Sequence, residues 1–306
     1  MRELIKLEGL SREDWLAIRR TGIGGSDVSA IMGLNKYKSA LELYLDKTGQ
    51  LPDPGEENIA AELGLELEDF LAKKFVSRIK KNEELDIVLI KPKYMYQHDK
   101  IDYFYVNFDR LILTPDGYIP VELKTTTEYK REDWKDDNIP DEYYMQVQWQ
   151  MMIAEADYAY IVYLIGNRTL DYKKIPRNEK MIKEVVKEIK HFWNDFRLKG
   201  IPPAPDGTLS ARDALNILYA DDKSDEPLDL TEELALDYAA YKELANKIKA
   251  DKFEQDKIKQ KFMALMGNNT FATITIDGKV KKIRYRNIDR AGYTVEPKTL
   301  KQFNIY

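Results

Sequence analysis

Apolar positions recur at helical spacing through the first third of the chain and alternate through its middle, which predicts helices followed by strands. Ser11-Arg-Glu-Asp14 opens a helix that ends near Gly22, and Ser26 reads as the cap of a second that ends at Gly33. Ser39-Ala-Leu-Glu42 has the capping-box pattern and opens a third helix, stopped at Gly49. A longer helix is expected from Glu57 to Lys81. Strands follow over Asp86–Gln97, Tyr103–Leu113 and Tyr118–Thr126, the last two joined through Thr-Pro-Asp-Gly. A helix over Asp141–Glu155, strands over Tyr158–Ile165 and Thr169–Ile175, and a helix from Asn178 to about Lys199 complete the core. This order predicts an α/β (α+β) fold, a central mixed sheet flanked by helices. Ile201-Pro-Pro-Ala-Pro-Asp-Gly207 cannot continue a helix, so a first domain is expected over residues 1–205 and a linker over 206–227. Residues 228–306 read as an appendage. Its long helix is capped by Thr231 and carries a seam at Leu234, Tyr241 and Ile248, and a β-hairpin follows over Phe271–Val280 with an Asp-Gly turn.

Composition narrows the chemistry. The 306 residues include two His and no Cys, which excludes disulfides, thiolate zinc sites, iron–sulfur clusters and a cysteine nucleophile. No apolar run reaches the roughly 20 residues of a membrane span, and Met1–Leu10 lacks a signal-peptide core, so a soluble cytoplasmic protein without a membrane partner is expected. Catalysis would have to come from carboxylates, lysines, hydroxyls and bound hard cations. The net charge of −5 argues against indiscriminate coating of nucleic acid. The charge is uneven, however: from Glu226 onward 15 basic residues face 12 acidic ones, leaving 33 against 41 before it.

Glu122-Leu-Lys124 is the sharpest local signal. Residues two apart on a strand share a face, so a carboxylate and an ammonium stand side by side, as a cation ligand next to a water-orienting group would. Alone the triplet is equally an exposed charge pair. A two-residue turn at Asp116-Gly117 would pair Pro115 with Tyr118, setting Asp109 opposite Lys124 and Arg110 opposite Leu123 on the other face. Asp109 would then lie diagonal to Glu122 at roughly 7–8 Å, a gap that a cation can bridge. Gly64 and Glu68 share one face of the long helix, so Glu68 could reach the same cluster. Arg19-Arg-Thr-Gly-Ile-Gly-Gly-Ser-Asp27 is a Gly-rich turn entering a helix, which suits either a phosphate or an ordinary helix corner. Gln146 and Gln150 lie one helical turn apart and could hold a water or a backbone group, or simply face solvent. Lys279–Arg290 holds six basic residues in twelve, either a nucleic-acid strip or an edge strand blunted by charge.

In combination these pieces resemble the YqaJ-like viral recombinase family, which is similar to lambda exonuclease within the PD-(D/E)XK nucleases. The motifs run in the family's order from Arg12 to Lys199: Gly22-Ile-Gly-Gly-Ser-Asp27, Ile31-Met-Gly33, Tyr44-Leu-Asp-Lys47, Gly64 with Glu68, Asp109-Arg110, Glu122-Leu-Lys124-Thr125 and Tyr144-Met-Gln-Val-Gln148. The resemblance implies that Asp109 and Glu122 ligate Mg²⁺ with the carbonyl of Leu123, and that Glu68 lies near a second ion. Mn²⁺ is a plausible substitute. Lys124 would polarise the attacking water, Gln146 would belong to the outer edge of the site, and Arg19 with Ser26 would hold a terminal DNA phosphate. Phe108 rather than Pro precedes Asp109, and the region after Pro205 has no counterpart in lambda exonuclease. The implied activity is a Mg²⁺-dependent 5′-to-3′ exonuclease on linear double-stranded DNA ends. Its 3′ overhangs would pass to a RecT-type single-strand annealing protein, and a ring trimer is the implied assembly. An endonuclease of the same fold and a non-catalytic DNA-binding or partner-recruiting protein are the alternatives.

Overall fold

The computed structural model describes residues 1–51, 59–219, 227–228 and 230–287. The chain order is β1 (Arg2–Lys6), α1 (Arg12–Arg20), α2 (Gly25–Ile31), α3 (Ala40–Lys47), α4 (Ile59–Glu83), β2 (Val88–Ile90), β3 (Tyr94–Gln97), β4 (Tyr105–Val106), β5 (Arg110–Thr114) and β6 (Gly117–Thr126). Then come α5 (Asp141–Ala154), β7 (Tyr158–Ile165), β8 (Thr169–Pro176), α6 (Glu179–His191), α7 (Leu209–Leu218), α8 (Glu233–Met266), β9 (Phe271–Ile276) and β10 (Lys279–Arg284). The start of the expected long helix, Glu57, lies outside the described residues.

The central sheet has the order β2-β5-β6-β7-β8 and is antiparallel except for β6 and β7, which run parallel with α5 as their crossover. This mixed sheet is what the sequence pattern predicts. A parallel pair needs such a crossover, because a tight turn can only reverse the chain. Side-chain alternation then separates the two faces. Ile119, Val121, Leu123, Tyr160 and Val162 pack with Leu71, Ala72, Phe75 and Ile79 of α4. Ile161, Tyr163 and Ile165 pack with Val147 and Met151 of α5. Glu122 and Lys124, one residue out of phase with Val121 and Leu123, therefore face α5.

Two expected strands are each divided. Asp86–Gln97 becomes β2 and β3, which belong to different sheets, because Pro92 between them has no N–H to give to a ladder. Tyr103–Leu113 becomes β4, in a small β1-β3-β4 sheet, and β5, in the central one. The break at Asn107-Phe108-Asp109 frees the start of β5 from pairing and becomes part of the site. β1 and a 3₁₀ turn over Glu128–Trp134 were not anticipated.

Residues 206–219 are not a linker. Thr208 caps α7, accepting from the Ala211 N–H at 3.1 Å, and α7 docks on α3. The Ser210 hydroxyl accepts from the Ser39 N–H at 2.7 Å and donates to Glu42. Glu42 is thereby drawn to α7 instead of closing its capping box, although Ser39 still caps α3 by accepting from the Glu42 N–H at 3.1 Å. The chain divides into two compact units, Met1–Ala220 and Asp221–Tyr306. In the second, α8 begins after Glu232 rather than at a Thr231 side-chain cap, and its seam residues Leu234, Tyr241 and Ile248 are exposed. The hairpin β9–β10 turns at Asp277-Gly278, both at positive φ, as an Asp-Gly turn requires. The last residues of the basic stretch, 288–290, lie outside the described residues.

Candidate active site

Thr114 pairs with Gly117, so the β5–β6 loop is Pro115-Asp116 and not Asp116-Gly117. Pro115 has no N–H with which to close a hairpin pair, and its fixed φ suits the first turn position. The register therefore differs by two residues from the expected one. Arg110 pairs with Val121, not Leu123, and one step further Asp109 comes level with Glu122 rather than Lys124. A two-residue slip preserves parity, so Asp109, Glu122 and Lys124 still share a face. The Leu123 N–H donates to Asp109 Oδ2 at 2.8 Å, and Lys124 Nζ forms an ion pair with Glu122 Oε1. Lys124 also lies over the Tyr143 ring at 5.1 Å.

α5 completes the cluster. Gln146 Nε2 donates to Glu122 Oε1 at 2.6 Å, and Gln150 Nε2 donates to Glu122 Oε2. Spaced one turn apart, the two amides clamp a carboxylate that is 1% exposed. Gln146 thus contacts Glu122 directly. Trp149 anchors the helix, its indole N–H donating to the Tyr105 carbonyl at 2.8 Å. Glu68 accepts from Arg110 Nη1 at 3.0 Å and lies 3.8 Å from Lys91 Nζ, while Arg110 also binds Asp69. Glu68 is near enough for its charge to act on Asp109. Among the described residues, though, no three His, Cys, Asp or Glu side chains gather into a metal cage. A Cβ on Gly64 would stand 3.6 Å from Thr125 Oγ1, an ordinary contact, so that glycine is not demanded by helix–sheet approach.

Electrostatics suit a hard cation here. Burial and then the Glu122 charge push the Asp109 carboxyl up to about 8, against the opposing pull of Lys124 and the Leu123 N–H. Burial pushes the Lys124 ammonium down, but Glu122 and Asp109 outweigh it and hold the proton on well above the usual lysine range. Two carboxylates thus face one ammonium, and the excess negative charge is relieved by a proton on Asp109 or by a cation in its place. A strand residue points its N–H and C=O to the same side, so the Leu123 carbonyl also faces the unpaired end of β5. Asp109, Glu122 and that carbonyl would offer only oxygen donors, the kind a hard divalent cation takes.

The Gly-rich turn supplies the other half. Arg19 Nη2 donates to Ser26 Oγ at 2.9 Å, and the guanidinium lies over Trp15 at 4.8 Å. Ser26 is not the cap of α2. Gly24 holds that position, and its N–H is accepted by Asp27 Oδ2 at 3.0 Å, which leaves the Ser26 hydroxyl to Arg19. Two glycines permit the close packing. A Cβ on Gly22 would meet the Tyr105 ring at 2.3 Å, and one on Gly25 would stand 3.1 Å from Gln146 Cγ. The result is a cavity of about 70 Å³ lined by Arg19, Gly24, Gly25, Ser26, Asn107 and Gln146 among others. Gln146 therefore belongs to both halves: it clamps Glu122 and walls the cavity beside Arg19 and Ser26.

The surroundings of four residues at or beside the site are not legible in the sequence. Asn107 lines the cavity with Oδ1 buried and without a hydrogen-bond partner among the described residues, and the break between β4 and β5 puts it there. Gln150 was seen as one of a pair of amides, but nothing local tied it to Glu122. Lys47 and Asp27 form a buried ion pair at 2.7 Å beneath Arg19, and neither stood out as more than a motif letter.

The family model of the YqaJ-like viral recombinase domain matches residues 14–157. The uncharacterized protein YqaJ of Bacillus subtilis (strain 168) is 38% identical over 230 residues, spanning 74% of this chain and 70% of that protein. Among solved structures, LHK-Exo in complex with dAMP superposes with a TM-score of 0.50 at 21% identity, covering 61% of this chain and 93% of the other. An alkaline exonuclease (LHK-Exo) from Laribacter hongkongensis gives 0.48 at 22% identity, with the same coverage. At 21% identity the first of these likenesses shows the fold alone, a central mixed sheet flanked by helices. No described helix is long and apolar enough to cross a membrane.

Proposed function

This chain belongs to the YqaJ-like viral recombinase family, and we propose that it is a Mg²⁺-dependent exodeoxyribonuclease acting on linear double-stranded DNA. On this reading it hydrolyses one strand from a 5′ end and leaves a 3′ overhang, the substrate class of a single-strand annealing protein. The observation that carries the reading is the convergence of Asp109, Glu122 and Lys124 on one face, with Glu122 clamped by Gln146 and Gln150.

Asp109, Glu122 and the Leu123 carbonyl would hold a divalent cation, with Glu68 available to a second. Such a cation, when bound, supplies charge neutralisation and Lewis-acid polarisation of the phosphodiester. The remaining work falls to the chain. Lys124 keeps its proton, so it acts as a hydrogen-bond donor that orients a water or a phosphate oxygen rather than as a base. Gln146 and Gln150 hold both Glu122 oxygens so that the carboxylate does not rotate when charge develops beside it. Arg19 and Ser26, which line the same cavity as Gln146, would receive a 5′-terminal phosphate and set the polarity.

The test is digestion of end-labelled linear duplexes with and without a 5′ phosphate, in Mg²⁺, Mn²⁺, Ca²⁺ or EDTA, alongside covalently closed circular DNA. Metal-dependent shortening from 5′ ends with the circle intact is expected. Linearisation of the circle would favour an internal cutter, and metal-independent or absent cleavage would refute the assignment.

A further inference from the structure

We propose that the buried Lys47–Asp27 ion pair keeps the Arg19 guanidinium aimed and only partly compensated, which makes Lys47 a positioning residue for a 5′-terminal phosphate. The inference rests on the phosphate role given to Arg19 above and goes beyond it by naming what holds Arg19 ready.

Asp27 is a hub. Its Oδ2 accepts from the Gly24 N–H at 3.0 Å and from Lys47 Nζ at 2.7 Å, while its Oδ1 accepts from Arg19 Nη2 at the longer distance of 3.3 Å. Lys47 Nζ also donates to the Arg19 carbonyl at 2.8 Å. One ammonium therefore grips both ends of Arg19, the main chain directly and the guanidinium through Asp27. The side chains of Lys47 and Asp27 are 1% and 2% exposed, against 27% for Arg19, and neither of the first two lines the cavity. Lys47 cannot touch DNA; whatever it does, it does through its neighbours.

Buried ion pairs are poor devices for stability, since desolvation consumes most of the attraction, so the placement calls for another reason. Two cations share one carboxylate. Burial pushes the Asp27 carboxyl up, but Lys47, Arg19 and Lys38 outweigh that and hold it well below the usual carboxylate range. The close Lys47 contact takes most of the Asp27 charge, and the surplus positive charge resides on Arg19, the most exposed of the three. Without Lys47, Asp27 would have Arg19 as its nearest cation. The guanidinium would be drawn down from Ser26, and its charge would be spent inside the protein. The adjacent carboxylate, Asp46, is paired instead with Lys38 at 3.0 Å and Arg20 at 3.4 Å.

Lys47→Gln can keep the hydrogen bonds and removes the charge. In Ca²⁺, fluorescence anisotropy with duplexes carrying a 5′ phosphate or a 5′ hydroxyl should show that the wild type prefers the phosphate about tenfold or more, as expected for one charge-assisted contact. Lys47→Gln should lose most of that preference through weaker binding of phosphorylated ends, with hydroxyl-ended binding unchanged. In Mg²⁺, KM for phosphorylated ends should rise while kcat holds. Adding Asp27→Asn removes the carboxylate that would capture Arg19, so the double variant should regain the preference, a rescue that mere structural damage would not give. The double variant buries no unpaired charge, so it decides the matter even if the single one fails to fold. A single variant with wild-type preference, equal weakening on both end types, or a double variant without preference would overturn the inference. A wild type indifferent to the phosphate would instead refute the phosphate pocket itself.

Discussion

Replacing Asp109 by Asn should make the cation-free protein more stable while removing its cleavage activity, and the size of the effect follows from the burial of the carboxylate. The folded-state value is raised from 3.8 to about 8, so the native state retains a proton that the unfolded chain releases. Because the shift is upward, the penalty is absent below about pH 4, grows between pH 4 and 8, and is complete above that. Each pH unit within the window costs the native state up to about 1.4 kcal/mol for one retained proton. The amide introduced by Asp109→Asn keeps a carbonyl to accept the Leu123 N–H but has no proton to lose. Solvent contact at the open end of β5 reduces the gain, so between pH 5 and pH 7 the variant should gain roughly 1–3 kcal/mol on the wild type. Urea unfolding in EDTA at several pH values between 5 and 8 measures it. Adding Mg²⁺ should reverse the order, because a ligand bound only by the native wild type stabilises it by mass action. Stability curves for the two proteins that run parallel from pH 5 to 8 would refute the picture of an acidic pair short of positive charge.

Three further outcomes are expected. Lys124→Ala should abolish cleavage while duplex DNA still binds in Ca²⁺, checked by gel assay and anisotropy; undiminished turnover would remove Lys124 from the site. Gln150→Leu deprives the buried Glu122 Oε2 of its α5 donor and should cost about 1–3 kcal/mol, with lower turnover, read by thermal unfolding and a cleavage assay. Gly22→Ala drives a methyl into the Tyr105 ring, whose hydroxyl is tied to Thr21 at 3.0 Å, and should cost roughly 1–3 kcal/mol. An alanine variant as stable as the parent would show that the ring can swing away.

Local signals sufficed wherever one element decides the outcome. Ser11 and Ser39 cap α1 and α3 as their spacing indicates, accepting from Asp14 N–H at 3.0 Å and Glu42 N–H at 3.1 Å. The shared face of Glu122 and Lys124 follows from the two-residue period of a strand, and Asp109 joins it in either hairpin register because the two differ by an even step. The helix of Gln146 and Gln150 was equally legible. Where several chemistries shared one local pattern, as in the Gly-rich turn, the chain alone left the choice open.

What sequence could not supply was which polar side chains stay buried and whom they meet. Asp27 and Lys47 are twenty positions apart, Gln150 and Glu122 twenty-eight, and Ser210 and Glu42 one hundred and sixty-eight. Their pairing is set by the crossover through α5, the close packing at Gly25 and the docking of α7 on α3. A charged residue in a string of letters reads as solvated by default, because water is its cheapest partner. Only the packed fold withdraws that water, and it thereby decides which carboxylate must find an amide, an ammonium or a cation.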